Sequence, residues 1–83
     1  MPTELTMPKT GHIEDEATVY RWLKAEGDLV EKGDIVLEVE TQKAIVEVEA
    51  FDRGTLLQIL VHEEETVPVG TPLALLGDPD EQA

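Results

Sequence analysis

The chain has 83 residues, 19 acidic against 6 basic side chains for a net charge of −13, and no cysteine. That length fits one domain, one that buries only roughly 60% of its unfolded surface. Without cysteine there are no disulfides, thiolate nucleophiles or cysteine-ligated zinc, and the absence of serine removes any Ser-His-Asp triad. The excess of carboxylates repels phosphate backbones and anionic lipid, so neither nucleic acid nor a membrane is an expected partner; basic protein surfaces are attracted instead. At 41% apolar residues the chain is not a disordered acidic tail.

Alternation of apolar and polar residues dominates. Thr3 to Met7 reads as a first strand, and Pro8 to Glu16, containing Gly11, as a loop. Ala17 to Leu23 (ATVYRWL) has the β-branched and aromatic content of a strand; the helical alternative over Val19 to Ala25 is only about two turns long. Leu29 and Val30 lead into a tight Glu31-Lys32-Gly33-Asp34 turn. Ile35 to Glu40 (IVLEVE) and Ala44 to Ala50 (AIVEVEA) place apolar side chains on one face and glutamates on the other. Asp52-Arg53-Gly54 turns into a strand over Thr55 to Val61, Glu63 to Glu65 is a solvated bend, and Val67-Pro68-Val69-Gly70 is another turn. Leu73 to Leu76 closes the domain at about residue 77, and residues 78–83 read as a tail or the start of a linker. Short strands with close turns predict an all-β antiparallel sandwich or barrel.

The sequence also repeats at an offset of 37 residues. Thr18 aligns with Thr55, Val19 with Leu56, Trp22 with Ile59, Val30 with Val67, Gly33 with Gly70 and Val36 with Leu73. Two similar half-domains packed about a pseudo-two-fold axis are expected, because roughly 40 residues cannot bury an adequate core alone.

The informative segment is the reversal between the two alternating strands, near Thr41 to Lys43. Hairpin tips ordinarily use Gly, Asn, Asp or Pro, as the other turns here do with Gly33, Gly54 and Gly70. This tip breaks that habit, and a broken local rule is where function is expected. Lys43, the only base between Lys32 and Arg53, lies among Glu38, Glu40, Glu47 and Glu49. A Schiff-base lysine requires the opposite setting, desolvated and beside cations. Lys43 therefore reads either as a solubilising surface lysine or as a displayed attachment point. His12 and His62 have no i+4 histidine partner, so no metal site is expected; Glu14-Asp15-Glu16 and Glu63-Glu64-Glu65 read as solvated acidic turns, and Trp22 as the bulky core residue.

Taken in order, Met7-Pro8-Lys9-Thr10-Gly11, Glu16-Ala17-Thr18-Val19, Trp22-Leu23, Gly27-Asp28-Leu29-Val30, Gly33-Asp34 and Glu38-Val39-Glu40-Thr41-Gln42-Lys43-Ala44 resemble the lipoyl domains of 2-oxo acid dehydrogenase complexes. Those domains belong to the dihydrolipoamide acyltransferase component. Thr66-Val67-Pro68-Val69-Gly70-Thr71-Pro72-Leu73-Ala74 is similar to their last turn and strand, so the likeness covers about residues 4 to 77. The resemblance implies a flattened barrel, a sandwich hybrid of two four-stranded antiparallel sheets with quasi-two-fold symmetry. It implies lipoate in amide linkage on Lys43, with Glu40, Thr41, Gln42 and Ala44 as the recognition turn. It also implies that the loop after the first strand, here Thr10, Gly11, His12, Ile13 and Glu14, helps a partner recognise the domain. Gln42 departs from the family's usual aspartate before the lysine.

On this resemblance the isolated domain is a non-catalytic swinging-arm carrier, and a longer parent chain would be an acyltransferase. The implied partners are a lipoate ligase or octanoyl transferase, a thiamine-diphosphate-dependent 2-oxo acid decarboxylase, an acyltransferase core and dihydrolipoamide dehydrogenase. The sulfurs of the transfer chemistry belong to the cofactor, so a chain without cysteine suffices. A monomeric domain is expected, cytoplasmic or, in a eukaryote, in the mitochondrial matrix. A biotinyl carrier of a carboxylase shares the fold but typically has methionine on both sides of its lysine. An unmodified interaction module is the third reading.

Overall fold

Eight strands and no helix make up the computed structural model, which describes residues 3–11, 13 and 15–78. They are β1 (Thr3–Thr6), β2 (Glu16–Trp22), β3 (Leu29–Val30), β4 (Ile35–Glu40), β5 (Ile45–Glu49), β6 (Gly54–Ile59), β7 (Thr66–Pro68) and β8 (Pro72–Gly77). They form two four-stranded sheets with antiparallel pairing throughout, in the orders β1-β8-β6-β3 and β5-β4-β2-β7. The sheets stack as a flattened sandwich, 38 × 22 × 17 Å, and remain two separate ladders. Their inner faces bury Leu5, Val19, Leu37, Val39, Val48, Leu56 and Leu76. No polar or charged described residue is buried, so apolar area alone drives the packing.

The repeat seen in the sequence governs the whole hydrogen-bond pattern. Thr18 pairs with Glu40 as Thr55 pairs with Gly77, and β2 and β6 both carry a bulge, between Val19 and Arg21 and between Leu56 and Gln58. The Gly27 amide donates to the Leu56 carbonyl at 2.8 Å, and 37 residues on the Glu64 amide donates to the Val19 carbonyl at 2.8 Å. Each half lends a short strand to the other: β3 of the first half pairs with β6, and β7 of the second pairs with β2.

Two expectations are corrected. Val67-Pro68 was expected within a turn, yet Thr66–Pro68 is strand β7, the twin of β3. It lies at a sheet edge, where proline's missing N–H costs no ladder bond. Trp22 is half-buried, packed against the core rather than within it, and its indole N–H donates to the Val61 carbonyl at 2.9 Å.

Glu64 is the one non-glycine residue at positive φ (74°) among those described, and its twin Gly27 has φ 96°. A side chain in this region crowds the following carbonyl, a cost of about 1–2 kcal/mol that glycine avoids at an entropic cost of about 0.5–1 kcal/mol. Glu64→Gly is expected to stabilise the domain by about 0.5 kcal/mol, and Gly27→Ala to destabilise it by about 1 kcal/mol. Urea unfolding checks both; a loss of stability in Glu64→Gly contradicts the assignment.

Candidate functional site

The β4–β5 hairpin closes on Gln42 and Lys43. The Thr41 amide donates to the Ala44 carbonyl at 2.9 Å, and neither loop residue adopts positive φ, so the turn is not of the primed type. The Thr41 hydroxyl replaces the usual turn chemistry. It donates to the Ala44 carbonyl at 3.0 Å and accepts from the amides of Lys43 at 3.2 Å and Ala44 at 3.1 Å. A hydroxyl has one proton and two lone pairs, and here all three are used within four residues. That bonding explains a tight tip without Gly, Asn, Asp or Pro.

Gln42, Lys43 and Ala44 are all exposed. Among the described residues no hydrogen bond or ion pair holds the Lys43 ammonium, although Arg21, Lys24 and Arg53 each pair with a carboxylate. The lysine is thus displayed at the tip and has no partner among the described residues.

Hydrogen bonds place this tip along the molecule. Thr18 pairs with Glu40 beside the tip; then come Val19 with Glu65, Trp22 with Glu63, Ile59 with Glu26 and Leu56 with Asp28. The series ends where Thr55 pairs with Gly77 and, one strand over, Leu76 pairs with Thr3. Lys43 therefore stands at one end of the sandwich, while the described ends of the chain leave from the other.

A cleft of about 590 Å³ opens beside the tip, lined by Gly11 and Asp15 of the β1–β2 loop and by Glu40, Thr41 and Lys43 of the hairpin. Its lining includes Thr18 and Thr66, whose hydroxyls meet across β2 and β7 at 2.6 Å. The β1–β2 loop thus reaches the Lys43 end, and Val69 ties it there by donating to the Asp15 carbonyl at 2.8 Å. Of the loop residues singled out in the sequence, Gly11 is exposed and borders the cleft. Thr10 and Ile13 exchange backbone hydrogen bonds of 3.0 and 3.3 Å, and Ile13 is fully buried. Ile13 is corrected from a surface residue to the loop's anchor, because its side chain adds to the core. His12 and Glu14 lie outside the described residues.

Asp15, Thr18 and Thr66 of the cleft are not read as site residues from the sequence, where Asp15 is part of a solvated acidic turn and the two threonines are only strand and motif positions. The structure shows why: Met7 bonds to Thr71 as Ala50 bonds to Asp34, so Met7 is the twin of Ala50, and nine residues separate Met7 from Ala17 where three separate Ala50 from Gly54. His62 is exposed away from the tip, and no group of three potential ligands that could hold a metal occurs among the described residues.

The family model described as "Biotin-requiring enzyme", the biotin/lipoyl family, matches residues 3–76. A Rhizobium meliloti protein named pyruvate dehydrogenase E1 component subunit beta is 45% identical over 84 residues, covering 100% of this chain and 18% of that protein. The dihydrolipoyllysine-residue acetyltransferase component of the Rickettsia bellii pyruvate dehydrogenase complex is 41% identical over 83 residues, covering 99% and 20%. The chain thus spans about a fifth of these relatives. Among solved structures, the lipoyl domain of the Azotobacter vinelandii 2-oxoglutarate dehydrogenase complex superposes with TM-score 0.65 at 27% identity, covering 92% of this chain and 94% of that one. Urea carboxylase from Kluyveromyces lactis superposes with TM-score 0.76 at 25% identity, covering 92% of this chain and 6% of that one.

Thr41→Val removes all three hydroxyl bonds and is expected to cost about 1 kcal/mol, whereas Thr41→Ser retains them and changes stability little. Thermal unfolding reads the difference, and amide exchange at Lys43 and Ala44 is expected to quicken in Thr41→Val only. Equal behaviour of the two variants contradicts the role given to the hydroxyl.

Proposed function

The chain belongs to the biotin- and lipoyl-attachment family, and from that premise we propose that it is a lipoyl carrier domain acylated at the Lys43 Nζ. The observation that carries this reading is the geometry of Lys43: an exposed lysine, without a partner among the described residues, at the apex of a hairpin whose turn is fixed by Thr41. The residues present fit the cofactor. Lys43 is exposed, and among the described residues no side chain pairs with its amine.

In this reading an amide bond forms between Nζ and the activated carboxyl carbon of lipoate; the ammonium gives up one proton to free its lone pair and a second as the amide forms, and the activating group leaves. A lipoate ligase using ATP, or an octanoyl transferase followed by sulfur insertion, is the acylating partner. When bound, lipoate supplies a dithiolane that takes up an acyl group and two electrons. The chain's own work is mechanical. β4 and β5 hold Lys43 at the end remote from the chain's described ends, so a tether at the far end leaves the lysine free to visit several active sites at high effective concentration.

The partners proposed are a thiamine-diphosphate-dependent decarboxylase, an acyltransferase core and dihydrolipoamide dehydrogenase, and the domain itself is non-catalytic. Relatives named for a pyruvate dehydrogenase E1 beta subunit and for an acetyltransferase component both contain a similar segment, so either is a suitable host. The likeness to urea carboxylase favours a second reading, a biotinyl carrier. Gln42 and Ala44 weigh against it, since they stand where biotinyl domains typically carry methionine.

Incubated separately with lipoate ligase and with biotin ligase, each with its acid and ATP, the domain is expected to gain one lipoyl mass and no biotinyl mass. Lys43→Arg is expected to abolish that gain. Intact mass spectrometry decides, and a Lys43→Arg variant that is lipoylated as well as the parent removes the proposal.

A further inference from the structure

The duplication supplies an internal control for surface chemistry. Residues that occupy the same slot in the two halves meet the same backbone demands, so a difference between them is not required by the fold. The outward slots of the β5-β4-β2-β7 sheet hold Glu16, Glu38, Glu40, Glu47 and Glu49. Their twins are Arg53, just before β6, and Leu75, Gly77, Glu4 and Thr6 on the other sheet. One outer face is strongly acidic, and its counterpart folds without that charge.

The acidic arrangement also works against stability. Glu38 lies directly across from Glu47, a like-charged pair that destabilises a sheet, and among the described residues only Arg21 pairs with it, with Nε 3.1 Å from the Glu38 carboxylate. Amid these charges, directly across from Glu40, stands Ile45, 46% exposed and two residues beyond Lys43. Lys43 borders the cleft together with the outward-facing Thr18 and Glu40, so the lysine belongs to this side of the hairpin.

We propose that this outer face, with Ile45 as an apolar anchor ringed by glutamates, docks a basic surface of the enzyme that acylates Lys43. The inference rests on the reading of Lys43 as the attachment lysine. Distance selects this partner over the others. An enzyme that acts on Nζ must approach within one lysine side chain of the tip, where it necessarily covers residues as near as Ile45. Partners that act on the far end of an attached arm stand further off. Glutamates around an exposed isoleucine match a socket with lysine or arginine at its rim, and electrostatic attraction then sets the encounter rate.

The test is steady-state acylation of the intact domain by lipoate ligase with lipoate and ATP, at low and moderate salt. Ile45→Ser and the double variant Glu47→Gln/Glu49→Gln are expected to raise KM for the domain by about tenfold, with kcat within about twofold of the parent. The double variant should also lose much of the salt dependence. Glu4→Gln, on the twin face, is expected to behave as the parent, and thermal unfolding verifies that every variant is folded. Docking elsewhere is the conclusion if Ile45→Ser and the double variant keep the parental KM while Lys43 is still acylated. An equal effect of Glu4→Gln also overturns the proposal, because the charge then acts through the whole molecule. If the folded parent gains no lipoyl mass at all, the reading of Lys43 fails first, and the docking face falls with it.

Discussion

Neither half of this chain, at roughly 40 residues, encloses enough apolar surface to stand alone. The halves therefore exchange strands: β3 crosses to β6 and β7 to β2, and each sheet contains segments from both. The exchange is fixed by paired hydrogen bonds, with the Leu56 amide on the Asp28 carbonyl at 2.8 Å and the Val19 amide on the Glu65 carbonyl at 2.9 Å. The same two residues are fully buried in the core, so backbone pairing and apolar packing meet at single positions. Everything else about the domain hangs on that interlock.

Symmetry then shows where the fold's demands stop. The halves match through strands, bulges and turns, and they part at the Lys43 end. There the first half closes into a hairpin where the second half ends, and the β1–β2 loop is longer than its counterpart. The acidic outer face starts at that end, where Glu40 lies across from Ile45, and runs down the hairpin to Glu49 across from Ile35. A carrier needs an acylatable amine held far from its tether and a frame that does not move when partners pull on it. A tip closed by one threonine hydroxyl, on a sandwich interlocked elsewhere, meets both needs.

Much of this was legible in the sequence. Alternation in Ile35–Glu40 and the run before Ala50 gave the central hairpin, and the spacing of Gly33 and Gly70 gave the duplication. Strand β7 was hidden because Thr66–Pro68 owes its extended form to pairing with β2, a tertiary cause that Pro68 masks locally. Lys43 could be placed at a tip, but the reason that tip closes lay in a side chain. Thr41 carries no turn signature; its hydroxyl acts only because Ala44 and Lys43 turn their amides toward it. Ile13 was misplaced for a related reason. A lone apolar residue in a polar loop does not reveal that the loop folds back onto the core.

The central claim is that the interlocked sandwich holds Lys43 without drawing stability from it. Thermal unfolding of the unmodified domain and of the domain lipoylated at Lys43 tests this most directly. The account predicts cooperative transitions for both, with midpoints within about 2 °C of each other, since the tip adds no buried area. A broad, non-cooperative transition in the unmodified domain, sharpened by attachment of the cofactor, would contradict it.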